Sequence, residues 1–317
     1  MNAFCTIVSP DYLPFAKTLY SSIREFSSGN KFFVLLNSFE GKPDDTIPSD
    51  IEWLDLSDII GSYMAKEIVK KYLHTNQQNE FRWALKPVLI SYLLSKGIDK
   101  IIYTDADTYF VGNPGFLFDE LEAHSVLLIP HWQSISVSTP ESLSSILKGG
   151  YFNAGFIGAS RSGLPAMNWW AEACHHKMEK SDGSGHYDDQ KYLDIIPWEF
   201  KNVKVSGHKG CNLASWNIDT NKREMSGNKL LIEKEYEPVF IHFTSTTIHH
   251  IISGYDKLLQ PYLEKYRNEL LKHNTILENI YTDINFNPKR SLITKVKHKL
   301  LIRTKIKRLL YRIAENL

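Results

Sequence analysis

The feature that most constrains the fold of this chain is a repeated alternation of short apolar runs with longer helical patterns. Amphipathic spacing predicts helices over residues 13–26 and 81–94. Runs rich in β-branched and aromatic residues predict strands over residues 4–9, 32–36, 51–54, 101–104, 126–129, 156–159, 203–206 and 239–243. Strands separated by helices are typical of βαβ units, so we expect an α/β protein with a mixed, mostly parallel sheet and helices on both faces.

Composition limits the class of protein further. A chain of 317 residues with 43% hydrophobic content can bury a large core. Its three cysteines, Cys5, Cys174 and Cys211, lack Cys-x-x-Cys spacing, which predicts thiols in a reducing compartment and no structural zinc. The N-terminus reads directly as a strand and not as a secretory signal. No run of about 18 apolar residues is present, so no membrane-spanning helix is expected.

Two carboxylates stand directly after the strand predicted over residues 101–104. Asp105 and Asp107 are separated by one residue, and side chains two apart in an extended segment leave the same face. Carboxylate oxygens suit a divalent cation, which can carry the phosphates of a nucleotide-activated substrate. Ligands of such sheets lie beyond the carboxyl ends of the strands, where residues 9–11 also fall. Taken alone, an acidic pair at a strand end is more often a pair of solvated turn carboxylates or helix caps.

Several short motifs follow one another in an order that is more specific than any one of them. They are residues 8–14 (VSPDYLP), 86–87 (KP), 103–107 (YTDAD), 151–158 (YFNAGFIG), 188–193 (DDQKYL) and 241–243 (IHF). This series, which covers residues 3–245, resembles the GT-A glycosyltransferases. It is most similar to the group that contains glycogenin and the bacterial lipooligosaccharide galactosyltransferases. The resemblance implies one GT-A, Rossmann-like nucleotide-diphospho-sugar transferase domain.

The resemblance also assigns ligands to individual residues. It implies that Asp105, Asp107 and His242 hold a divalent metal, and imidazole mixed with carboxylates suits Mn²⁺, with Mg²⁺ as the rival. A strand-end histidine packed in the core is the other interpretation of His242. The implied donor is a UDP-sugar. Its binding residues are expected to be Val8 and Tyr12 at the uracil, Lys86 beside the diphosphate, Asp105 at the ribose and Asn153 at the sugar.

Residues 188–190 are expected to carry the chemistry. The resemblance places Asp189 on hydroxyls of the donor sugar and Gln190 near the anomeric carbon, where a retaining enzyme needs stabilisation. An inverting enzyme would instead need a carboxylate, Asp188 or Asp189, as general base on the acceptor hydroxyl. The residues by themselves are compatible with both the retaining and the inverting mechanism, and the resemblance favours retention.

The chain departs from the family pattern after His242. Glycogenin-like enzymes continue with a glycine and then a lysine that contacts the diphosphate, whereas residues 244–250 here read TSTTIHH. This indicates a neighbouring family and leaves Lys86, Lys209 or His249 to stabilise the leaving group. The glycine-bracketed segment 207–217 suits a loop that closes over the donor with His208 or Lys209 near the phosphates, or else a plain surface loop.

Charge is distributed very unevenly along the chain. Residues 289–317 hold ten Lys or Arg against one acid, a net charge of +9, which leaves −8 for residues 1–288. Apolar residues at helical spacing within this segment predict a basic amphipathic helix that binds an anionic membrane surface. Its single aromatic residue, Tyr311, offers little for stacking bases, so no nucleic-acid partner is expected. The alternative is that this helix packs its apolar side on the catalytic domain or on a second subunit.

The predicted organisation is a catalytic domain at residues 1–250, closing helices and a linker at 251–288, and a membrane-associating tail at 289–317. Together with the resemblance, it implies a peripheral glycosyltransferase at the cytoplasmic face of the plasma membrane. Such an enzyme would move a hexose to a saccharide or lipid-linked acceptor in the synthesis of lipopolysaccharide, O-antigen or capsule. One alternative is a sugar nucleotidyltransferase, although residues 9–12 lack the glycine and basic residues usual after its first strand. Another is a non-enzymatic module that binds anionic surfaces through the tail.

Overall fold

A computed structural model describes residues 1–39, 48–75, 77–137, 140–179 and 185–273 of the chain. Residues 1–273 form one compact unit. The predicted linker and basic tail, together with the last part of the predicted closing helices, lie outside the described residues. The predictions made for residues 274–317 therefore stay predictions.

The centre of the fold is a seven-stranded mixed sheet. In sheet order its strands are β3 (Ile51–Leu54), β2 (Lys31–Leu36), β1 (Asn2–Val8), β4 (Lys100–Thr104), β7 (Phe152–Ser160), β6 (Val126–Pro130) and β8 (Val203–Val205). Strand β7 runs antiparallel to its neighbours β4 and β6, and the other neighbouring pairs are parallel. The predicted mixed, mostly parallel sheet is thereby confirmed.

Helices cover both faces of this sheet. The helices of the described residues are α1 (Leu13–Phe26), α2 (Leu56–Ile59), α3 (Tyr63–Tyr72), α4 (Gln78–Ser95), α5 (Gly115–Ala123), α6 (Pro140–Gly149), α7 (Leu164–His176), α8 (Ile196–Glu199), α9 (Ser245–Ile252) and α10 (Gln260–His273). Helix α1 has its predicted bounds, and α4 extends beyond the predicted ones at both ends. None of the helices in the described part of the chain is both long and apolar enough to span a membrane.

The two faces of the sheet bury separate hydrophobic clusters because side chains alternate along each strand. On β1, Ala3, Cys5 and Ile7 join a cluster with α3, α4 and α7. Phe4 and Val8 of the same strand join the opposite cluster with α1 and α5. This burial of apolar surface on both faces is the main source of stability for such a sheet.

Two small antiparallel sheets complete the fold. One is a hairpin of β9 (Arg223–Ser226) and β10 (Lys229–Ile232). The other pairs β5 (Thr108–Phe110) with β11 (Phe240–His242), so that His242 lies opposite Thr108. The chain reaches β5 through a turn in which the Thr108 amide donates to the Asp105 carbonyl oxygen at 3.1 Å. Strand β11 lies within the strand predicted over residues 239–243. Strand β5, and hence the pairing, was not predicted, because three residues are too few to show a period-two pattern.

Candidate active site

A cleft of about 940 Å³ opens along one edge of the central sheet. Val8 at the end of β1, Asp105 after β4 and His131 after β6 line it. Asn153 near the start of β7 also lines it, because β7 runs in the opposite direction to its neighbours. The cleft therefore lies at the strand edge where the sequence predicted a ligand.

Asp105, Asp107 and His242 form a metal-ligand group inside this cleft. One ligand atom of each lies within 4.8 Å of the others, and His242 Nε2 is 2.9 Å from Asp107 Oδ1. Burial opposes charge on the His242 ring, but the Asp107 carboxylate outweighs it and raises the pKa of His242. Burial alone would raise the pKa of Asp107, but the contact with His242 outweighs burial, and the pKa of Asp107 is lowered. The pairing of β5 with β11 is what brings these residues together.

The donor set and the space around it fit a divalent cation. Two carboxylates and an imidazole suit Mn²⁺ or Mg²⁺. Gly155 leaves the corner open, since a Cβ atom there would lie 2.7 Å from His242 Cε1 and 3.0 Å from Asp105 Oδ2. We refer to the space between Asp105, Asp107, His242 and Gly155 as the metal corner.

Lys86 is buried behind the metal corner. Its Nζ lies 3.3 Å from Asp105 Oδ1 and 3.2 Å from Asp189 Oδ2, and it donates to the Ala154 carbonyl oxygen at 3.1 Å. The contact with Ala154 is a hydrogen bond, and the contacts with the two carboxylates are ion pairs. Burial acts to lower the pKa of Lys86, but the two carboxylates outweigh it and raise that pKa. Lys86 thus lies in the predicted site, where it links the metal corner to Asp189 and is not part of a solvated helix face.

Asp188, Asp189 and Gln190 line the cleft beside Lys86. Asp189 is buried, and burial raises its pKa to about 6 although the Lys86 ammonium acts in the opposite direction. Gln190 is fixed at both ends of its amide. Its Nε2 donates to the Gly149 carbonyl oxygen at 2.6 Å, and its Oε1 accepts from the Ala154 amide at 3.4 Å.

Asn153 lies at the metal corner itself. Its Nδ2 donates to Asn212 Oδ1 at 2.7 Å and lies 3.2 Å from His242 Nδ1. Its Oδ1 accepts from the Gly155 amide at 2.8 Å. The asparagine predicted to contact a sugar is therefore held by its neighbours next to the metal-ligand group.

The opposite end of the cleft is formed by the residues that follow β1. Val8 and Tyr12 both line it. The Tyr12 side chain is exposed, stacks on Phe15 with ring centroids 5.0 Å apart, and lies 5.7 Å from the Arg82 guanidinium. Arg82 and Lys86, one helical turn apart on α4, both reach the cleft as their spacing predicted. An accessible aromatic face beside a cation is a suitable surface for a nucleotide base.

The structure does not bring His208 and Lys209 into this cleft. The His208 ring lies between Phe116 and Tyr236, with centroids 4.8 Å from each, and borders a second cavity of about 330 Å³. Lys209 Nζ is 3.7 Å from a carboxylate oxygen of Glu233.

The first half of the 207–217 loop packs against the chain that enters β11. A Cβ at Gly210 would come within 2.0 Å of the Glu237 carbonyl oxygen, and the Val239 amide donates to the Gly210 carbonyl oxygen at 2.8 Å. Only the later residues Ser215 and Trp216 reach the cleft. His249, the third cation considered for the leaving group, is not among the lining residues of this cleft either.

Sequence reasoning missed His131. It follows β6 directly, so the same strand-end rule that located Asp105 could have located it. Its ring and that of His242 each contact the Trp216 ring edge to face, with a centroid distance of 5.4 Å in both cases. Burial lowers the pKa of His131 to about 4, and the side chain is therefore neutral near pH 7.

Comparisons with known sequences do not name an activity. No protein-family model matches the chain. It is 25% identical to the uncharacterized protein YfnF of Bacillus subtilis (strain 168) over 304 residues, which cover 90% of this chain and 96% of YfnF. It is 30% identical to the uncharacterized protein YfnD of the same strain over 176 residues, which cover 54% of this chain and 55% of YfnD.

Solved structures share the fold. The galactosyltransferase LgtC, in complex with donor and acceptor sugar analogues, matches with a TM-score of 0.54 at 15% identity, covering 86% of this chain and 96% of that one. The chain has a GT-A fold. An active-site mutant of LgtC, glutamine to glutamate, matches with a TM-score of 0.50 at 14% identity, covering 77% and 87%. The predicted GT-A fold is confirmed, and the low identities agree with the prediction of a neighbouring family.

Proposed function

We propose that this chain is a metal-dependent glycosyltransferase that moves a hexose from a UDP-sugar to a saccharide or lipid-linked acceptor. The observation that carries the proposal is the convergence of Asp105, Asp107 and His242 at the strand-end cleft of a GT-A fold. These three side chains come from two separate parts of the chain. They meet beyond the carboxyl ends of the sheet strands, where α/β proteins commonly bind nucleotides.

The charges of the cleft support nucleotide-sugar chemistry. Departure of a nucleoside diphosphate builds negative charge on its phosphates. Asp105, Asp107 and His242 would hold Mn²⁺ or Mg²⁺, which would neutralise that charge. Lys86 Nζ lies 3.3 Å from Asp105 Oδ1 and 3.2 Å from Asp189 Oδ2, so its positive charge offsets the negative charge that these two carboxylates bring to the site. At the far end, the exposed ring of Tyr12 and the end of β1 at Val8 would receive the uracil.

The sugar of the donor would lie between the metal corner and Gln190. Asn153 and Asp189 offer an amide and a carboxylate to its hydroxyls. The Gln190 amide neither gains nor loses a proton near pH 7, and it is fixed by Gly149 and Ala154. Such a group favours a retaining reaction, which the family resemblance also implies, and LgtC likewise has a glutamine in its active site. An inverting reaction would need Asp188 or Asp189 as general base.

The test is a panel of UDP- and GDP-sugars incubated with the full-length protein and Mn²⁺, scored for release of the free nucleotide. We expect release from one or a few UDP-sugars, in the presence of Mn²⁺ or Mg²⁺ only. Asp107→Asn serves as the inactive reference. Absence of release from every donor, with and without simple glycosides as acceptors, would contradict the proposal. Formation of a sugar nucleotide from a sugar phosphate and UTP would indicate a nucleotidyltransferase instead.

We also propose that the enzyme acts at the inner face of the plasma membrane in surface polysaccharide synthesis. The support is the basic amphipathic pattern of residues 289–317, which lie outside the described residues. Removal of residues 289–317 should release the protein from vesicles that contain anionic lipid while donor hydrolysis persists. Equal sedimentation of the full and shortened chains with such vesicles would contradict membrane binding by the tail.

A further inference from the structure

The two carboxylate oxygens of Asp105 have different surroundings. Oδ1 accepts from the Tyr103 hydroxyl at 2.7 Å and lies 3.3 Å from Lys86 Nζ. Oδ2 faces the metal corner, because it lies 3.0 Å from the position that a Gly155 Cβ would take, and that position is 2.7 Å from His242 Cε1. One oxygen is therefore held from behind, and the other is directed at the space between the ligands.

We propose that Tyr103 is a positioning residue for the metal corner. Its hydroxyl, together with Lys86, holds Oδ1 of Asp105 and thereby presents Oδ2 to the divalent cation. This inference rests on the metal-binding role of Asp105 in the proposed function, and it adds a residue that does not touch the metal, the donor or the acceptor.

The position of Tyr103 on β4 explains why it acts through Asp105 alone. The two residues are two apart at the end of a strand, so their side chains leave the same face. Tyr103 is 1% exposed and is not among the residues that line the cleft. Its ring packs in the core cluster shared with α4, with Lys86 Nζ 5.4 Å from the ring centroid. No substrate atom can reach its hydroxyl in this arrangement.

Lys86 cannot serve as the test residue for this role. It contacts Asp105, but it also lines the cleft and pairs with Asp189, so its replacement would alter the sugar end of the site as well. Tyr103 offers a cleaner change, since among the described residues its hydroxyl donates one hydrogen bond, to Asp105 Oδ1, and Tyr103→Phe keeps the ring that Lys86 contacts. Groups that hold a ligating carboxylate in place typically change metal affinity by about 10- to 100-fold when removed.

The experiment is a calorimetric titration of the full-length, metal-free protein with Mn²⁺ in the absence of donor. We expect Tyr103→Phe to raise the Kd for Mn²⁺ by roughly tenfold, the lower end of the range for such supporting groups. The matched control is Tyr72→Phe. Tyr72 is also 1% exposed and in the same core cluster, and its hydroxyl donates to the Cys174 carbonyl oxygen at 3.2 Å, away from the cleft.

The outcomes separate this inference from the proposed function. Both variants keep the whole aromatic ring, and their Tm values should fall by similar small amounts. A Kd for Tyr103→Phe that equals those of the wild type and Tyr72→Phe would overturn the positioning role. Asp105→Asn is the reference for the site itself. If Asp105→Asn bound Mn²⁺ as tightly as the wild type, the metal site of the proposed function would fail, whatever Tyr103→Phe showed.

Discussion

The metal corner and the cluster around Arg223 both contain paired charged groups, yet only one of them has the arrangement of a functional site. Arg223 Nε lies 3.2 Å from Asp256 Oδ2, and both side chains are 3% exposed. The remaining guanidinium nitrogens donate to the carbonyl oxygens of Ala214, Asn217 and Asn221 and to Asn217 Oδ1. Neither Arg223 nor Asp256 lines the cleft.

At the metal corner, in contrast, three ligand groups converge on open space. Asp105, Asp107 and His242 all line the cleft, and a glycine keeps the space between them free. The difference between the two regions shows that burial and ion pairing do not by themselves mark a site. What marks the site is a set of ligand atoms that face one another across a volume that another molecule can enter.

The largest expected effect comes from removing a charge at the metal corner. Asp107→Asn should lower metal-dependent release of the nucleotide by at least about 100-fold, because metal stabilisation of a leaving group is worth several kcal/mol. The measurement is nucleotide release with Mn²⁺, paired with a Mn²⁺ titration. Asp194→Asn, outside the cleft, is the control and should keep its activity. Full activity of Asp107→Asn would place the metal elsewhere.

Breaking the other buried pair should act on stability. Asp256→Asn leaves the Arg223 guanidinium without its carboxylate, and removing one partner of a buried ion pair costs about 3–5 kcal/mol. The measurement is the free energy of unfolding in urea. The Kd for Mn²⁺ of the folded variant should stay that of the wild type. If Asp256→Asn instead bound Mn²⁺ more weakly and kept its free energy of unfolding, the Arg223–Asp256 pair would contribute to the metal site and not to stability.

Filling the open volume should weaken metal binding without removing a ligand. Gly155→Ala would place a Cβ 2.7 Å from His242 Cε1, 3.0 Å from Asp105 Oδ2 and 3.0 Å from Asn153 Oδ1. Such overpacking costs about 1–3 kcal/mol, so we expect a Kd for Mn²⁺ about tenfold higher and a lower Tm. Gly61→Ala is the matched control, since no atom lies within 4 Å of its added Cβ. Equal Kd values for the two variants would show that the corner is not the metal site.

The smallest effect concerns pH. Burial raises the pKa of Asp189 to about 6, above the ordinary value of 3.8. Between these values the folded protein holds a proton that the unfolded chain has lost, so the stability that this proton supplies is present below about pH 4 and disappears as pH rises through 6. Asp189→Asn lacks this titration. The Tm of the metal-free variant minus that of the wild type should therefore increase from pH 5 to pH 7, and a constant difference would contradict the raised pKa.

Much of the fold could be predicted from the sequence because its signals are local. The strands β1, β2, β3, β4 and β6 and the helix α1 follow from runs of apolar residues and from helical spacing. Asp105 and Asp107 could be found for the same reason, since they directly follow a strong strand signal. The short β5 and the antiparallel direction of β7 could not be found this way. Both depend on pairing with distant segments.

The candidate site shows the same division. His242 was expected as a ligand from the resemblance, and the β5–β11 pairing shows how it reaches Asp107. The burial of Lys86 against two carboxylates was not foreseen, because helical spacing tells which residues share a face but not what that face meets. The packing of Gly210 against Glu237, which keeps His208 and Lys209 out of the cleft, has no local signal at all.

The sequence by itself determined three features: the alternation of strands and helices, the acidic pair at the end of β4, and the order of motifs typical of GT-A enzymes. Each of these depends on residues that are close together in the chain. Only the tertiary structure decided which side chains meet. The contact of Asp107 with His242, the link from Asp105 through Lys86 to Asp189, and the hydroxyl of Tyr103 behind Asp105 result from strand pairing and helix packing. Those contacts depend on how the burial of apolar surface arranges the whole chain, and no short segment contains that information.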